Sequence, residues 1–345
     1  MLLAFELSGE HETLPKSEVL ACLNALEIDY SVIYSLDQCL VIECKPFDKS
    51  LIKVLKNRLA MTHRIIEVID ICDAKEESIF RVVDILNLKP YIYLNSFVVR
   101  AKVKNCNIDT AYLERRIGAI IYKKGYRVDL ENPDIYFRVI IIKDKCIFGI
   151  LVDSIDRSQF EDRKPQKKPF FFPGVLMPKI ARALVNLSQV KSGDILCDPF
   201  CGTAGILVEA MLIDIKVIGI DVQSKMVKGS KINLEYYNKS YSLPPTYVLI
   251  VGDACNIPLK AESISAIVTD LPYGISTKIF LKNKKDLYKE SLKEIYRILK
   301  NNGLTVIVSN QLIEEKIIGF EIVEKHKQRV HKSLTRYIYI LKKVL

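Results

Sequence analysis

The sequence predicts an α/β protein. Its carboxyl-terminal half reads as a doubly wound, mostly parallel sheet, and its amino-terminal half as smaller α+β modules. Three observations carry this. Strand-like and helix-like runs alternate from Pro178 onward, the pattern of a parallel sheet covered by helices. Residues 1–71 have the periodicities of a βαββαβ unit, a ferredoxin-like order. Two loops, Asp198-Pro-Phe-Cys-Gly-Thr-Ala-Gly205 and Asp270-Leu-Pro-Tyr-Gly274, each follow a short strand-like run. The expected division is a ferredoxin-like domain over 1–72, a second domain over 73–153, a linker over 154–173 and the doubly wound domain over 174–345.

Element by element, Leu2–Leu7 reads as a strand. Pro15–Leu26 has helical spacing through Val19, Leu20, Leu23 and Leu26, with Pro15 suited to a first turn. Tyr30–Tyr34 and Cys39–Cys44 read as a strand pair. Lys49–Leu59 is helical, with Leu51, Ile52, Leu55 and Leu59 on one face, and Ile65–Ile71 closes the unit. Glu76–Leu88 reads as a helix stopped by Pro90. Phe97–Val103 is a strand with Arg100, Lys102 and Lys104 on one side. Asp109 is an N-cap for the helix Ala111–Lys124, which Gly125 ends. The strands Arg127–Leu130, Ile135–Ile142 and Cys146–Val152 follow.

The stretch Asp153–Pro173 is charged and holds Pro165, Pro169 and Pro173, so it is expected to lie over the surface or between domains. Beyond it come the helix Lys179–Leu187, the strand Ile195–Cys197, the helix Gly205–Ile213 and the strand Val217–Ile220. Ser224 is placed as cap of the helix Lys225–Tyr237. Tyr247–Val251, Ala266–Thr269 and Leu304–Val308 are further strands, with the helix Leu287–Leu299 between the last two. Phe320–Val323 and Tyr337–Leu341 form a closing antiparallel pair.

At 345 residues the chain is long enough for two or three domains, and 49% hydrophobic residues supply their cores. No apolar run approaches the roughly 20 residues of a membrane helix. Met1–Leu7 is too short for a signal peptide and lacks a basic start. A soluble, cytoplasmic monomer is expected. Nine cysteines include no Cys-x-x-Cys pair. The nearest pairs, Cys39 with Cys44 and Cys197 with Cys201, lack zinc spacing, and only four histidines are available. Reduced, mostly buried thiols and no metal are expected. The net charge of +10 divides as −4 over 1–72, +4 over 73–150 and +10 over 151–345. That balance suits a polyanion partner, although a lysine-rich surface gives the same figure.

The first loop is a strand-to-helix turn in which Gly202 and Gly205 permit close backbone approach. Ligands of doubly wound sheets sit outside the carboxyl ends of the strands, and Asp198, Asp221 and Asp253 each follow one. Asp221 lies 19 residues past Gly202, near the interval of about 20 expected of a carboxylate on ribose hydroxyls. Asp253 is placed to accept from an adenine amine, and the Ala254 amide to donate to a ring nitrogen. Phe200, Thr203 and Val222 flank these positions. A dinucleotide would require Gly-x-Gly-x-x-Gly, and Asp198 would repel its diphosphate. A sulfonium cofactor without phosphates, S-adenosylmethionine, fits better.

The second loop joins a carboxylate, Asp270, a proline-flanked backbone at Pro272 and a ring, Tyr273. An exocyclic amine on a base is a poor nucleophile and needs alignment. Asp270 can accept one N–H, a carbonyl of Leu271 or nearby the other, and Tyr273 can stack on the base. Such a pattern specifies a planar amine and leaves open whether it is guanine, adenine, cytosine or glutamine.

The two motifs resemble those of the archaeal THUMP-domain tRNA (guanine-N2-)-methyltransferases acting on guanosine 10. The segment Lys168-Pro-Phe-Phe-Phe-Pro-Gly-Val-Leu-Met-Pro-Lys resembles the family's approach to its catalytic domain, and Val128-Asp-Leu-Glu-Asn-Pro-Asp-Ile its late THUMP strands. The resemblance covers about 75–345. It implies a Rossmann-like class I methyltransferase domain preceded by ferredoxin-like and THUMP domains. It also implies Asp270 as catalytic residue, with Pro272 and Tyr273 beside it. Asp198, Phe200, Gly202, Thr203, Gly205, Asp221, Val222, Asp253, Ala254 and Asp270 would hold S-adenosylmethionine.

The THUMP domain would grip the tRNA acceptor end. Arg100, Lys102, Arg115, Arg116, Lys123, Lys124, Arg127, Lys167, Lys168 and Lys278 are the candidate phosphate contacts. The family often has Gly where Ala204 stands and Pro where Leu271 stands. Another guanosine, such as position 6, an adenine amine, or an inactive THUMP-type RNA-binding protein are the alternatives.

Overall fold

The computed structural model describes residues 1–45, 49–244, 246–273 and 284–344. Along the chain, strand β1 (Leu2–Leu7) leads to helix α1 (Leu14–Ala25), strands β2 (Tyr30–Leu36) and β3 (Cys39–Cys44), helix α2 (Lys49–Arg58) and strand β4 (Thr62–Asp73). Helices α3 (Glu76–Ile85) and α4 (Lys89–Ile92) follow, then β5 (Ser96–Lys104), α5 (Thr110–Lys123), β6 (Arg127–Val128), β7 (Ile135–Ile142) and β8 (Lys145–Ser154). The rest comprises α6 (Pro178–Leu187), β9 (Ile195–Asp198), α7 (Gly205–Met211), β10 (Lys216–Asp221), α8 (Ser224–Ser240), β11 (Tyr247–Val251), β12 (Ile264–Asp270), α9 (Lys284–Ile298), β13 (Leu299–Ser309), β14 (Phe320–His331) and β15 (Leu334–Lys343).

These elements form two compact units. The first comprises Met1–Glu12, Ile28–Ile52 and Thr62–Ile155; the second comprises Thr13–Glu27, Lys53–Met61 and Asp156–Leu345. The first is an eight-stranded sheet in the order β2-β3-β1-β4-β8-β7-β5-β6. Its β2-β3-β1-β4 half has the strand order of a ferredoxin-like unit. β4 pairs with β8 from Arg64↔Ser154 to Asp73↔Lys145, so one sheet runs across the boundary expected at residue 72. Asp109 caps α5, accepting from the Tyr112 amide at 2.7 Å, and Gly125 follows with φ +93°. Pro90 does not merely stop a helix. The first helix ends at Ile85 and Pro90 sits in the first turn of α4, where its missing N–H costs nothing.

The second unit is a seven-stranded sheet in the order β11-β10-β9-β12-β13-β15-β14. β11, β10, β9, β12 and β13 are parallel, and β15 and β14 close the sheet antiparallel. One face packs on α6, α7 and α8 through Leu184, Leu207 and Leu234. The other packs on α9 through Tyr288, Leu292 and Ile295. The strand order reverses between β9 and β12, which is where doubly wound sheets bind ligands.

Two further expectations are modified. Ser224 is the first residue of α8 rather than its cap; Gln223 holds the cap position without a side-chain bond. The stretch 154–173 has many exposed residues, but Phe160, Arg163, Pro165 and Lys168 within it are buried. Arg163 Nε donates to Glu209 at 2.7 Å and its guanidinium lies 4.7 Å from the Phe160 ring centroid. Arg182 Nη2 shares the same carboxylate at 3.0 Å. Glu209, in the otherwise apolar helix α7, is what draws these cations inside.

Candidate active site

Gly202 has φ +50° and Ala204 φ +62°, so two residues in three adopt the left-handed region and fold the chain sharply from β9 into α7. The Asp198 carboxylate stabilises this turn from below, accepting from the Phe200 amide at 3.1 Å and the Thr269 hydroxyl at 2.7 Å. Asp221, at the end of β10, accepts from the Gly202 amide at 3.1 Å and the Gln223 amide at 2.8 Å. The turn is therefore pinned by carboxylates from two adjacent strands. Burial pushes Asp198 up to about 7, with Asp270 and Asp221 adding to the rise. Burial also raises Asp221.

A cavity of about 330 Å³ lies against this turn. Asp198, Phe200, Gly202, Thr203, Gly205, Asp221, Val222, Asp253, Ala254 and Asp270 all line it, together with Pro272 and Tyr273. Asp253 is exposed and its Oδ1 accepts from the Cys255 amide at 2.9 Å. Thr203 contributes a buried hydroxyl with no partner among the described residues. A pocket that joins carboxylates at strand ends, a wall of apolar side chains and an unpaired hydroxyl fits a cationic nucleoside cofactor.

The sequence did not reveal how the far wall is held. Phe172, Pro173 and Leu176 line the cavity. Asn233 of α8 anchors this segment: its Oδ1 accepts from the Phe170 amide, and its Nδ2 donates to the Phe170 and Thr203 carbonyls, each at 2.9 Å. The Phe170 ring abuts Gly229, where a β-carbon would fall 2.1 Å from its Cδ1. Phe170 packs here, while Phe171 is exposed.

At the end of β12, Tyr273 donates its hydroxyl to Asp270 Oδ1 at 2.5 Å and accepts from Arg336 Nε at 2.9 Å. Arg336 comes from β15, 63 residues away, and nothing in the local motif announced it. Burial pushes Asp270 up to about 6, against the pull of the Arg336 charge and the Tyr273 bond. The Tyr288 hydroxyl donates to the Pro272 carbonyl at 2.7 Å and fixes the loop from α9.

Residues 165–338 match a family described as "RMKL-like, methyltransferase domain", and residues 73–151 match the THUMP domain family. The chain is 38% identical to the tRNA (guanine(10)-N2)-dimethyltransferase of Methanothermobacter thermautotrophicus, over 98% of both chains. It is 34% identical to the protein of the same name from Methanocaldococcus jannaschii, over 99% of this chain and 100% of that one. The chain belongs to the tRNA (guanine(10)-N2)-dimethyltransferase family. The solved structure of TrmN from Thermus thermophilus shares the fold, with a TM-score of 0.57 at 17% identity over the whole of both chains. A THUMP domain and a class I methyltransferase fold are thus both present.

In this family member the candidate phosphate contacts separate into two groups. Arg115, Arg116, Lys123 and Arg127 are exposed on or near α5, and Arg116 lies over the Phe80 ring. The others are engaged. Lys102 lies 3.3 Å from the buried carboxylate of Glu6, which also binds Arg64 and Arg138. Arg100 donates to the Val99 and Leu130 carbonyls. Lys124 donates to the Leu86 carbonyl at 2.8 Å. Lys167 is exposed but paired with Asp162. Lys168 is 7% exposed, and burial pushes its ammonium down to about 8. It is a packing residue, not a surface contact. Lys278 lies outside the described residues. Among the described residues no helix is long and apolar enough to cross a membrane, and no cluster of metal-ligating side chains occurs.

Proposed function

We propose that this protein methylates the exocyclic N2 of guanosine 10 in tRNA, using S-adenosylmethionine. The observation that carries the reading is the meeting, in one cavity, of the glycine turn of β9 and the Asp270 carboxylate of β12. The bound cofactor supplies a methyl carbon on a sulfonium sulfur. Gly202, Gly205 and Thr203 accommodate it at the turn, Asp221 binds its ribose hydroxyls, and Asp253 with Ala254 receives its adenine.

Asp270 accepts one N–H of the guanine amine through its other oxygen, Oδ2, while Oδ1 keeps the Tyr273 hydroxyl. With the Pro272 carbonyl committed to Tyr288, the Leu271 carbonyl takes the other. The two acceptors turn the nitrogen lone pair toward the methyl carbon, and the chemistry is mainly alignment. Asp270, held near 6 by burial, is ionised at neutral pH yet basic enough to take the proton released as the N–C bond forms. The names of both relatives support two successive transfers and position 10 over position 6. Exposed cations of the THUMP domain, Arg115, Arg116, Lys123 and Arg127, bind tRNA phosphates. The guanosine leaves its stem to reach the cavity, at a cost of a few kcal/mol, about the ordinary expense of unstacking.

The test is methyl transfer to unmodified tRNA followed by digestion to nucleosides. N2-methylguanosine and N2,N2-dimethylguanosine at position 10 are expected. Methylation confined to adenosine, or to a guanosine at another position, refutes the assignment.

A further inference from the structure

The carboxyl-terminal hairpin is unlike the rest of the catalytic sheet in both charge and reach. Residues 325–345 hold seven Lys and Arg and no Asp or Glu. β14 and β15 stay paired from Phe320↔Lys343 to His331↔Leu334. β15 pairs with β13 only as far as Ser309↔Tyr337. The rungs Gln328↔Arg336, Arg329↔Thr335 and His331↔Leu334 therefore project beyond the last rung shared with β13, by about three residues or roughly 10 Å. β12 ends at this same edge, with Asp270 opposite Val308. The projecting ribbon thus stands beside the cavity mouth.

Alternation sorts its side chains. Lys325, Lys327 and Arg329 pair across from Tyr339, Tyr337 and Thr335 and so share one face. Lys325 is occupied by Glu314 and lies over the Tyr337 and Tyr339 rings. Arg329 is exposed on the strand and Lys332 is exposed in the turn. Arg336, on the opposite face, is buried and bonded to Tyr273, which in turn holds Asp270. The ribbon is thereby fixed relative to the reacting carboxylate. An extended, acid-free, basic ribbon held at a set distance from the base-accepting site matches the phosphate backbone of the strand that carries the base. β14 stands three strands from β12, about 14 Å across the sheet, so with the projection of about 10 Å the tip is roughly 17 Å from Asp270, about five nucleotide steps along a strand.

We propose that the β14–β15 hairpin is an RNA-docking arm of the catalytic unit, in which Arg329 and Lys332 bind phosphates within about five nucleotides of the target guanosine. This deepens the function proposed above and rests on it. The experiment is steady-state methylation of tRNA by the full chain across a salt series, comparing wild type, Arg329→Gln/Lys332→Gln, Lys332→Gln and Lys342→Gln. Lys342 is the control: it carries the same charge on the same hairpin, but its rung, opposite Leu304, is at the other edge of the sheet.

The double variant is expected to raise the tRNA KM about tenfold and to lower the salt slope of log KM by about 1.4 to 1.8, with the loss in KM rather than kcat. Lys332→Gln, in a turn, should give about half of that slope change, and Lys342→Gln should match wild type. Cofactor binding by calorimetry checks that each variant is folded. Wild-type KM and slope in both Lys332→Gln and the double variant overturn the arm, as would be seen if the ribbon served an acidic protein partner. Equal losses in Lys342→Gln overturn it too, since net charge would then be the cause. Failure of wild type to methylate tRNA would sink the proposed function instead.

Discussion

On the proposed mechanism, Asp270 serves two opposed demands. To accept an amine N–H it must be ionised, yet the fold raises it to about 6 by burial. Turnover is therefore expected to fall as pH drops through about 6, read from kcat against pH at saturating tRNA and cofactor. Stability runs the other way. A carboxylate raised above its unfolded value near 3.8 favours the folded state below that value, and the contribution is lost as pH rises through about 6. Asp270→Ala should leave cofactor affinity within about twofold while kcat falls by roughly 10³ or more. Equal losses in both would mean its role is cofactor binding. Arg336 acts on Asp270 through Tyr273, so it is a positioning residue. Arg336→Met should lower kcat about 10- to 100-fold and move the acid limb of the pH profile upward, because a charge that favours the carboxylate is gone. Arg336→Lys should restore part of the limb's position. An unshifted profile in Arg336→Met would reduce Arg336 to a packing residue. Asp270, Asp198 and Asp221 were legible in the sequence because each ends a strand and local order alone places it at the sheet's carboxyl edge. Arg336 was not, because its partner lies in a loop 63 residues earlier and only strand pairing brings them together.

Among the elements, the far wall of the cavity depends on how closely α8 approaches the segment before α6. Gly229 exists where the Phe170 ring needs its space, and Asn233 one turn later clamps the Phe170 backbone. Gly229→Ala should destabilise the protein by about 1–3 kcal/mol through overpacking and weaken S-adenosylmethionine binding about tenfold. Calorimetry and thermal unfolding measure the two effects. In a Phe170→Ala background the same change should cost much less, and additive losses would deny the contact. The strands and helices of the second unit were readable from period alone. In the stretch 154–173 the burial of Arg163 and Lys168 was missed, because composition counts arginines and lysines as solvated. A single Glu209 among apolar residues in α7 was the available sign that a cation would be drawn inward. The same error placed Lys168 and Lys102 among surface contacts when each faces a buried environment.

For the whole molecule, the decisive fact is that the catalytic unit is not one continuous stretch of chain. Thr13–Glu27 and Lys53–Met61 belong to it. Glu18 receives the Ala60 and Met61 amides at 2.9 and 2.8 Å and the Asn186 amide group at 2.9 Å. Arg182 donates to the Asn57 carbonyl at 2.7 Å. A fragment 174–345, cut where composition places a domain boundary, would leave Arg182 and Asn186 without these partners. Such a fragment is expected to lose cooperative unfolding or to unfold several kcal/mol more easily than the full chain, as measured in denaturant. An intact, equally stable fragment would refute the interleaving. Pattern reading placed α1 and α2 correctly as helices but had no means of assigning them to a distant partner, since amphipathic faces carry no address. The interleaving also bears on ancestry and engineering. A gene fusion that grafted a new recognition module in front of this catalyst would have to carry along two short pieces from deep within the old one, so simple module shuffling at its amino-terminal side is a poor route to new RNA targets.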